Sequence, residues 1–149
     1  MYYGGFWARF FAYVLDSVVL MFVFIPMAFL FGTPSVDPVT GATSYRLSEF
    51  VAFPIFLAYF VGFEGSARQA TLGKMAMGLI VTDQSGARLS YLHALGRFFA
   101  KFISLFVFLI GFVMAAFTER KQGLHDMVAR TLVVRGSSGR AAFDLKEFE

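Results

Sequence analysis

Residues 6–20 read FWARFFAYVLDSVVL, an apolar segment broken by two charges, Arg9 and Asp16. The apolar run continues to Phe31, 26 positions in all. As a helix it would be about 39 Å long, enough to cross a hydrocarbon core of about 30 Å. Tyr2, Tyr3 and Trp7 stand at its start, where an aromatic belt is expected. A secretory signal would have a basic leader, a shorter apolar stretch without Asp and a small-residue cleavage site, and the pattern reads instead as a retained span.

The rest of the chain supports that reading. Of its 149 residues, 58% are hydrophobic and 15% charged, against roughly a quarter charged in soluble domains. A soluble domain of this size could not hide so much apolar surface, so the composition is that of an integral membrane protein. With no cysteine, disulfides and thiolate chemistry are excluded. Two histidines without cysteine partners argue against a metal site, and no cofactor is expected.

Working outward, residues 32–46 (GTPSVDPVTGATSYR) read as an exposed loop. A second apolar run, about 47–63, carries Pro54 and ends at Glu64. Residues 64–97 are polar. Within them GLIVTDQSGARLS predicts a strand, a turn at Asp83–Gly86 and a second strand. A third apolar run covers 90–117, and its most hydrophobic part, 98–117, is the third expected membrane segment. His93, Arg97 and Lys101 lie at i, i+4 and i+8 on one helical face of that run, a face expected to meet anionic lipid at the interface. TLVVR, residues 131–135, reads as a strand, and 136–149 as a polar tail.

Basic residues give the orientation. The 32–46 loop holds only Arg46, the 64–101 segment holds five and the chain beyond 118 holds six. The positive-inside rule then places the amino terminus and residues 64–97 in the cytoplasm and the 32–46 loop outside. If 98–117 crossed once, six basic residues would lie outside. A hairpin or strongly tilted segment over 90–117 keeps the tail cytoplasmic and lets LIVTD pair with RTLVV. The expected fold is thus an all-α membrane protein: two transmembrane helices, a third tilted or hairpin segment and a small cytoplasmic β element, in one domain over 1–149.

Arg9 and Asp16 are seven apart, so they share a face about 10.5 Å apart along the axis. Both side chains lean toward the amino terminus, so Arg9 points away from Asp16 and each needs another partner. An ionised carboxylate deep in the bilayer costs at least ~2.5–3.5 kcal/mol, which makes Asp16 an ion or proton site or a helix staple. Arg9 reads as a snorkelling or phosphate-binding residue. Asp126 reads as a cap or bridge, and Glu64 as an interfacial charge or polar gate; both join Asp16 and Arg9 as candidates for an ion or proton site. Lys74, in TLGKM, would belong to a nucleotide loop only with a Gly six positions earlier, where Arg68 stands; a turn touching lipid phosphates is the better reading.

Three blocks in order, FWARFFAYVLD, ATLGKMAMGLIVTDQSG and TERKQGLHDMVARTLVV, together resemble the RDD family of bacterial membrane proteins, named for one Arg and two Asp. The resemblance covers about residues 4–135 and implies that Arg9, Asp16 and Asp126 are the family's residues. The family often has Gly before the Thr of the last block, where this chain has Arg130 before Thr131. Monovalent cation/proton antiport is what the resemblance implies for some members.

Two functions follow as expectations. One is a bacterial inner-membrane module that binds lipid headgroups or partner membrane proteins, using Arg9, Asp16, Asp126 and a basic inner face with Lys74, His93, Arg97 and Lys101. The other is an antiporter of Na⁺, Li⁺ or K⁺ against protons, with Asp16 as its site and an oligomer forming the pathway. No nucleophile–base constellation argues for an enzyme, and nucleic acid is not an expected partner.

Overall fold

The computed structural model describes residues 3–106, 117 and 119–136. The opening apolar run is one helix, α1 (Phe6–Phe31). Among the described residues it is the one helix long and apolar enough to cross a membrane. Its buried positions are Ala8, Arg9, Ala12, Asp16 and Leu20. Their spacing of about four keeps them on a single face. Elsewhere α1 is mostly apolar, half-buried at Tyr13 and Phe24 and exposed at Phe22, Leu30 and Phe31 among others. A helix hydrophobic almost all round belongs in lipid or a large core, and the described residues form only small core clusters.

The second apolar run is α2 (Glu49–Gly65), started by Ser48, whose hydroxyl accepts from the Phe50 N–H (3.3 Å). The third begins as α4 (Tyr91–Phe106). Between Phe106 and Phe117 the chain lies outside the described residues, and so does the choice between hairpin and tilted segment. Leu20 of α1, Phe60 of α2 and Phe98 of α4 form the core between these helices.

Residues 32–46 depart from the expected loop. They form an antiparallel pair, β1 (Thr33–Val36) and β2 (Thr43–Arg46). The turn is built by Asp37, whose carboxylate accepts from the Val39 N–H and the Thr40 hydroxyl (both 2.8 Å), and by Gly41 at φ +70°. Asp and Gly are the residues such a turn requires, while Pro34 is tolerable because this two-stranded ribbon is all edge. The fold is therefore helical with two small sheets, rather than all-α.

The second sheet joins β3 (Leu79–Asp83) to β4 (Thr131–Arg135), antiparallel, with Ile80 opposite Val134 and Thr82 opposite Leu132. This is the expected LIVTD–RTLVV pairing. The second strand expected within GLIVTDQSGARLS does not form. Asp83 instead closes the turn by accepting from the Ala87 N–H (2.8 Å), and the chain passes into α4 with Ser90 accepting from the His93 N–H (3.2 Å). Strand alternation divides the sheet's contacts. Leu79, Val81 and Val133 pack on Ala8 and Ala12 of α1. Ile80, Leu132 and Val134 pack with Ala70 and Tyr3. Tyr3 forms a β-bridge with Val134 and so adds to this sheet. Two short helices, α3 (Leu72–Ala76) and α5 (Leu124–Val128), precede the two strands.

Candidate functional site

Asp16 is 1% exposed and its carboxylate accepts three hydrogen bonds. Oδ1 accepts from the Tyr59 hydroxyl and the Gly73 N–H (both 2.7 Å), and Oδ2 from the Thr71 hydroxyl (2.6 Å). Gly73 is required here: a Cβ at that position would lie 2.1 Å from the Ala12 carbonyl oxygen and 2.8 Å from the Asp16 carboxylate. Small residues on both sides, Ala12 and Gly73, let the two backbones come close enough for an amide to reach the acid. Thr71 also caps α3, accepting from the Lys74 N–H (3.5 Å).

Arg9 turns away from Asp16, as its lean requires. Its NH1 pairs with Asp126 Oδ2, its NH2 donates to the Lys121 carbonyl (2.6 Å) and its Nε to the Gly4 carbonyl (2.9 Å). Asp126 in turn holds Arg97, whose NH2 approaches Oδ1 to 2.5 Å and whose Nε donates to Oδ1 and to the Thr131 hydroxyl (both 3.1 Å). Arg97 NH1 continues to Glu64 Oε2 (2.6 Å). The other Glu64 oxygen accepts from Lys74 and from Lys101 (3.1 Å). One chain of alternating charge thus links α1, α5, α4, α2 and α3.

Burial pushes the Lys74 ammonium down to about 7, with Glu64 acting in the opposite sense. Burial also opposes ionisation of Asp126, but Arg97 and Arg9 outweigh it and hold the carboxyl well below the usual range. His125, beside it, is pushed down to about 3 by burial. Its imidazole is therefore neutral at pH 7, and its 3.4 Å approach to Asp126 is not an ion pair there.

All eight singled-out residues, Arg9, Asp16, Glu64, Lys74, His93, Arg97, Lys101 and Asp126, occupy this region, but not all as expected. Lys74 and Arg97 are 1% exposed and face carboxylates, not a lipid surface. The His93–Arg97–Lys101 face is turned inward, with His93 Nε2 donating to the Ala129 carbonyl. Sequence reasoning passed over Tyr59, Thr71, Gly73 and Thr131. Thr71 had a local signal, since a Thr before a short helix is a favoured cap. Tyr59 and Thr131 had none, because their partners lie 43 and 34 positions away.

The three charges that stand in the family's named positions are thus all buried and all partnered, and the RDD family model matches residues 3–130. The chain belongs to the RDD family. It is 33% identical to "Uncharacterized protein YxaI" of Bacillus subtilis (strain 168), over 88% of this chain and 96% of that protein. It is 31% identical to "Uncharacterized membrane protein YteJ" of the same organism, over 89% of this chain and 80% of that one. No solved structure matches the chain. In this RDD chain the arginine and the second aspartate are each other's partners, while the first aspartate anchors a separate polar turn. Arg130, standing where the family often has glycine, adopts φ +51°, the left-handed region that glycine enters freely.

Proposed function

We propose that the chain is a bacterial inner-membrane module that binds anionic lipid headgroups or partner membrane proteins through the basic end of the molecule. In this reading α1 and α2 span the bilayer with a third segment at 98–117, the amino terminus and tail are cytoplasmic, and the β1–β2 ribbon lies outside. One observation carries it. Apart from Arg46, every Arg and Lys of the described residues lies at the start of α1 or in the segments 68–101 and 120–135 that gather around it. The buried members pair internally, while Arg68, Arg88, Arg120 and Arg130 stay exposed. Juxtamembrane basic clusters of that kind attract anionic lipid by about 1 kcal/mol per residue, screened by salt.

Cation/proton exchange at Asp16 is the second reading, favoured by its burial in the middle of α1. Oδ2 accepts only from Thr71, so it keeps a lone pair that a cation could take alongside the three donors.

Thermal unfolding in detergent tests the first reading. Added phosphatidylglycerol should raise the midpoint more than phosphatidylcholine, and the difference should shrink in 0.5 M salt (about 4 Å of screening length). The second is tested in proteoliposomes. A pH gradient that collapses on adding Na⁺, Li⁺ or K⁺ with wild type but not Asp16→Asn, together with equal effects of the two lipids, would replace the module reading with exchange.

A further inference from the structure

Two cavities meet between the helices. The first, about 220 Å³, is lined by Tyr13, Leu20, Phe56, Phe60, Phe98 and Lys101 among others. The second, about 530 Å³, runs on between α1 and α2 past Phe24 and Ala28 to Leu47. Ser17, Leu20 and Phe56 line both, so they form one continuous groove. From Tyr13 to Ala28 it extends about 22 Å along α1. An acyl chain of one leaflet spans roughly half of the ~30 Å hydrocarbon core, so the groove is long enough for one.

The groove is apolar along its length and cationic at one end. Lys101 is the only charged residue lining it among the described residues. Its ammonium gives one donor to Glu64 (3.1 Å) and sits over the Tyr13 and Phe60 rings, at 5.7 and 4.8 Å. An ammonium has three donors, so the bond to Glu64 does not exhaust it. The charge around it is also unbalanced. Arg9, Lys74, Arg97 and Lys101 face two carboxylates, Glu64 and Asp126, since Asp16 is bound by neutral donors, and Glu64 alone is shared by three of those cations. A further anion at Lys101 would reduce the imbalance, as buried charge requires.

We propose that this groove holds one anionic phospholipid, its phosphate on Lys101 and one acyl chain along Leu20, Phe56 and Phe24. The inference rests on the headgroup-binding reading and deepens it: one specific lipid site is added to the diffuse basic face.

The test is photocrosslinking in nanodiscs of full-length protein, using phosphatidylglycerol with a diazirine in its acyl chain and phosphatidylcholine as the control. Adducts should map to 17–28 and 47–56, form at least fivefold less with phosphatidylcholine, and fall at least fivefold in Lys101→Gln but not in Lys101→Arg. Leu20→Trp, which fills the groove and keeps the charge, should lose them as well. Adducts confined to other surfaces, or unchanged in Leu20→Trp, overturn the groove site. The same holds if wild type gives no groove adducts because residues 107–116 or a second copy occupies it. Phosphatidylglycerol-specific stabilisation that persists then leaves the headgroup reading standing, and its absence removes both.

Discussion

Arg130 and Gly73 show how single residues carry the site. At φ +51° a non-glycine side chain costs on the order of 1–2 kcal/mol. Arg130 is exposed, so nothing of its side chain is needed for packing. Arg130→Gly should therefore stabilise the folded protein by about 1 kcal/mol, less the added entropy of a more flexible unfolded chain. A higher unfolding midpoint in detergent is the expected result. At Gly73, by contrast, adding even one methyl is costly. Gly73→Ala would push a Cβ into the Ala12 carbonyl and should cost about 1–3 kcal/mol. Gly62→Ala in α2 meets open space and should be neutral or gain up to ~1 kcal/mol of helix propensity. Opposite signs for these two Gly→Ala changes are the outcome to look for; equal effects would mean that the α1–α3 approach is not close.

Between elements, the deciding contacts join segments far apart in sequence. Helix α1 presents Ala8 and Ala12 to the β3–β4 sheet and, one turn on, Asp16 to the turn before α3. Strand pairing then brings the His125–Asp126 turn back to Arg9. The β1–β2 ribbon touches none of this and stays at the far end of α1, where the Tyr45 and Phe29 rings meet at a tilted angle, 5.2 Å between centroids. The two ends of α1 thus differ in chemistry, and the proposed orientation can be tested on them. Since the chain has no cysteine, a single introduced thiol reports cleanly. Thr40→Cys in the ribbon should label with an impermeant maleimide in intact cells, and Arg88→Cys only after permeabilisation. The reverse pattern would invert the topology.

At the scale of the molecule, a network of this kind makes stability depend on pH. Lys74 binds its proton more weakly when folded, at about 7, than its ordinary 10.5. Folding therefore releases protons from it between those values. Its contribution to stability is present above that window and is lost as pH falls through it. Wild type should gain thermal stability relative to Lys74→Met as pH rises from 7 to 10, measured as the difference between their midpoints. Glu64 keeps Arg97 and Lys101 in the variant, so the difference reports Lys74 rather than a bare carboxylate. A constant difference across the range would mean that Lys74 stays charged in the folded state.

Much of this was legible in the chain. The 26-residue apolar run, its need for outside partners at Arg9 and Asp16, the strand character of LIVTD and TLVVR and the helix from about residue 91 all follow from periodicity, length and side-chain lean. These are local properties, set by residues within a turn or a strand of one another. The ribbon at 33–46 was missed because Gly, Pro, Ser and Thr suit a loop as well as a short exposed hairpin, and only the register of Asp37 and Gly41 separates them. The inward turn of His93, Arg97 and Lys101 was not legible either. An amphipathic face looks the same whether lipid headgroups or buried carboxylates await it. The sequence alone determined which charges had to be compensated, since an isolated charge in an apolar helix is costly wherever the helix lies. Only the tertiary structure decided by what: Asp126 for Arg9, and Tyr59, Thr71 and Gly73 for Asp16. Those partners are 43 to 117 positions away, and only the packing of α2, α3 and α5 on α1 brings them within hydrogen-bonding reach.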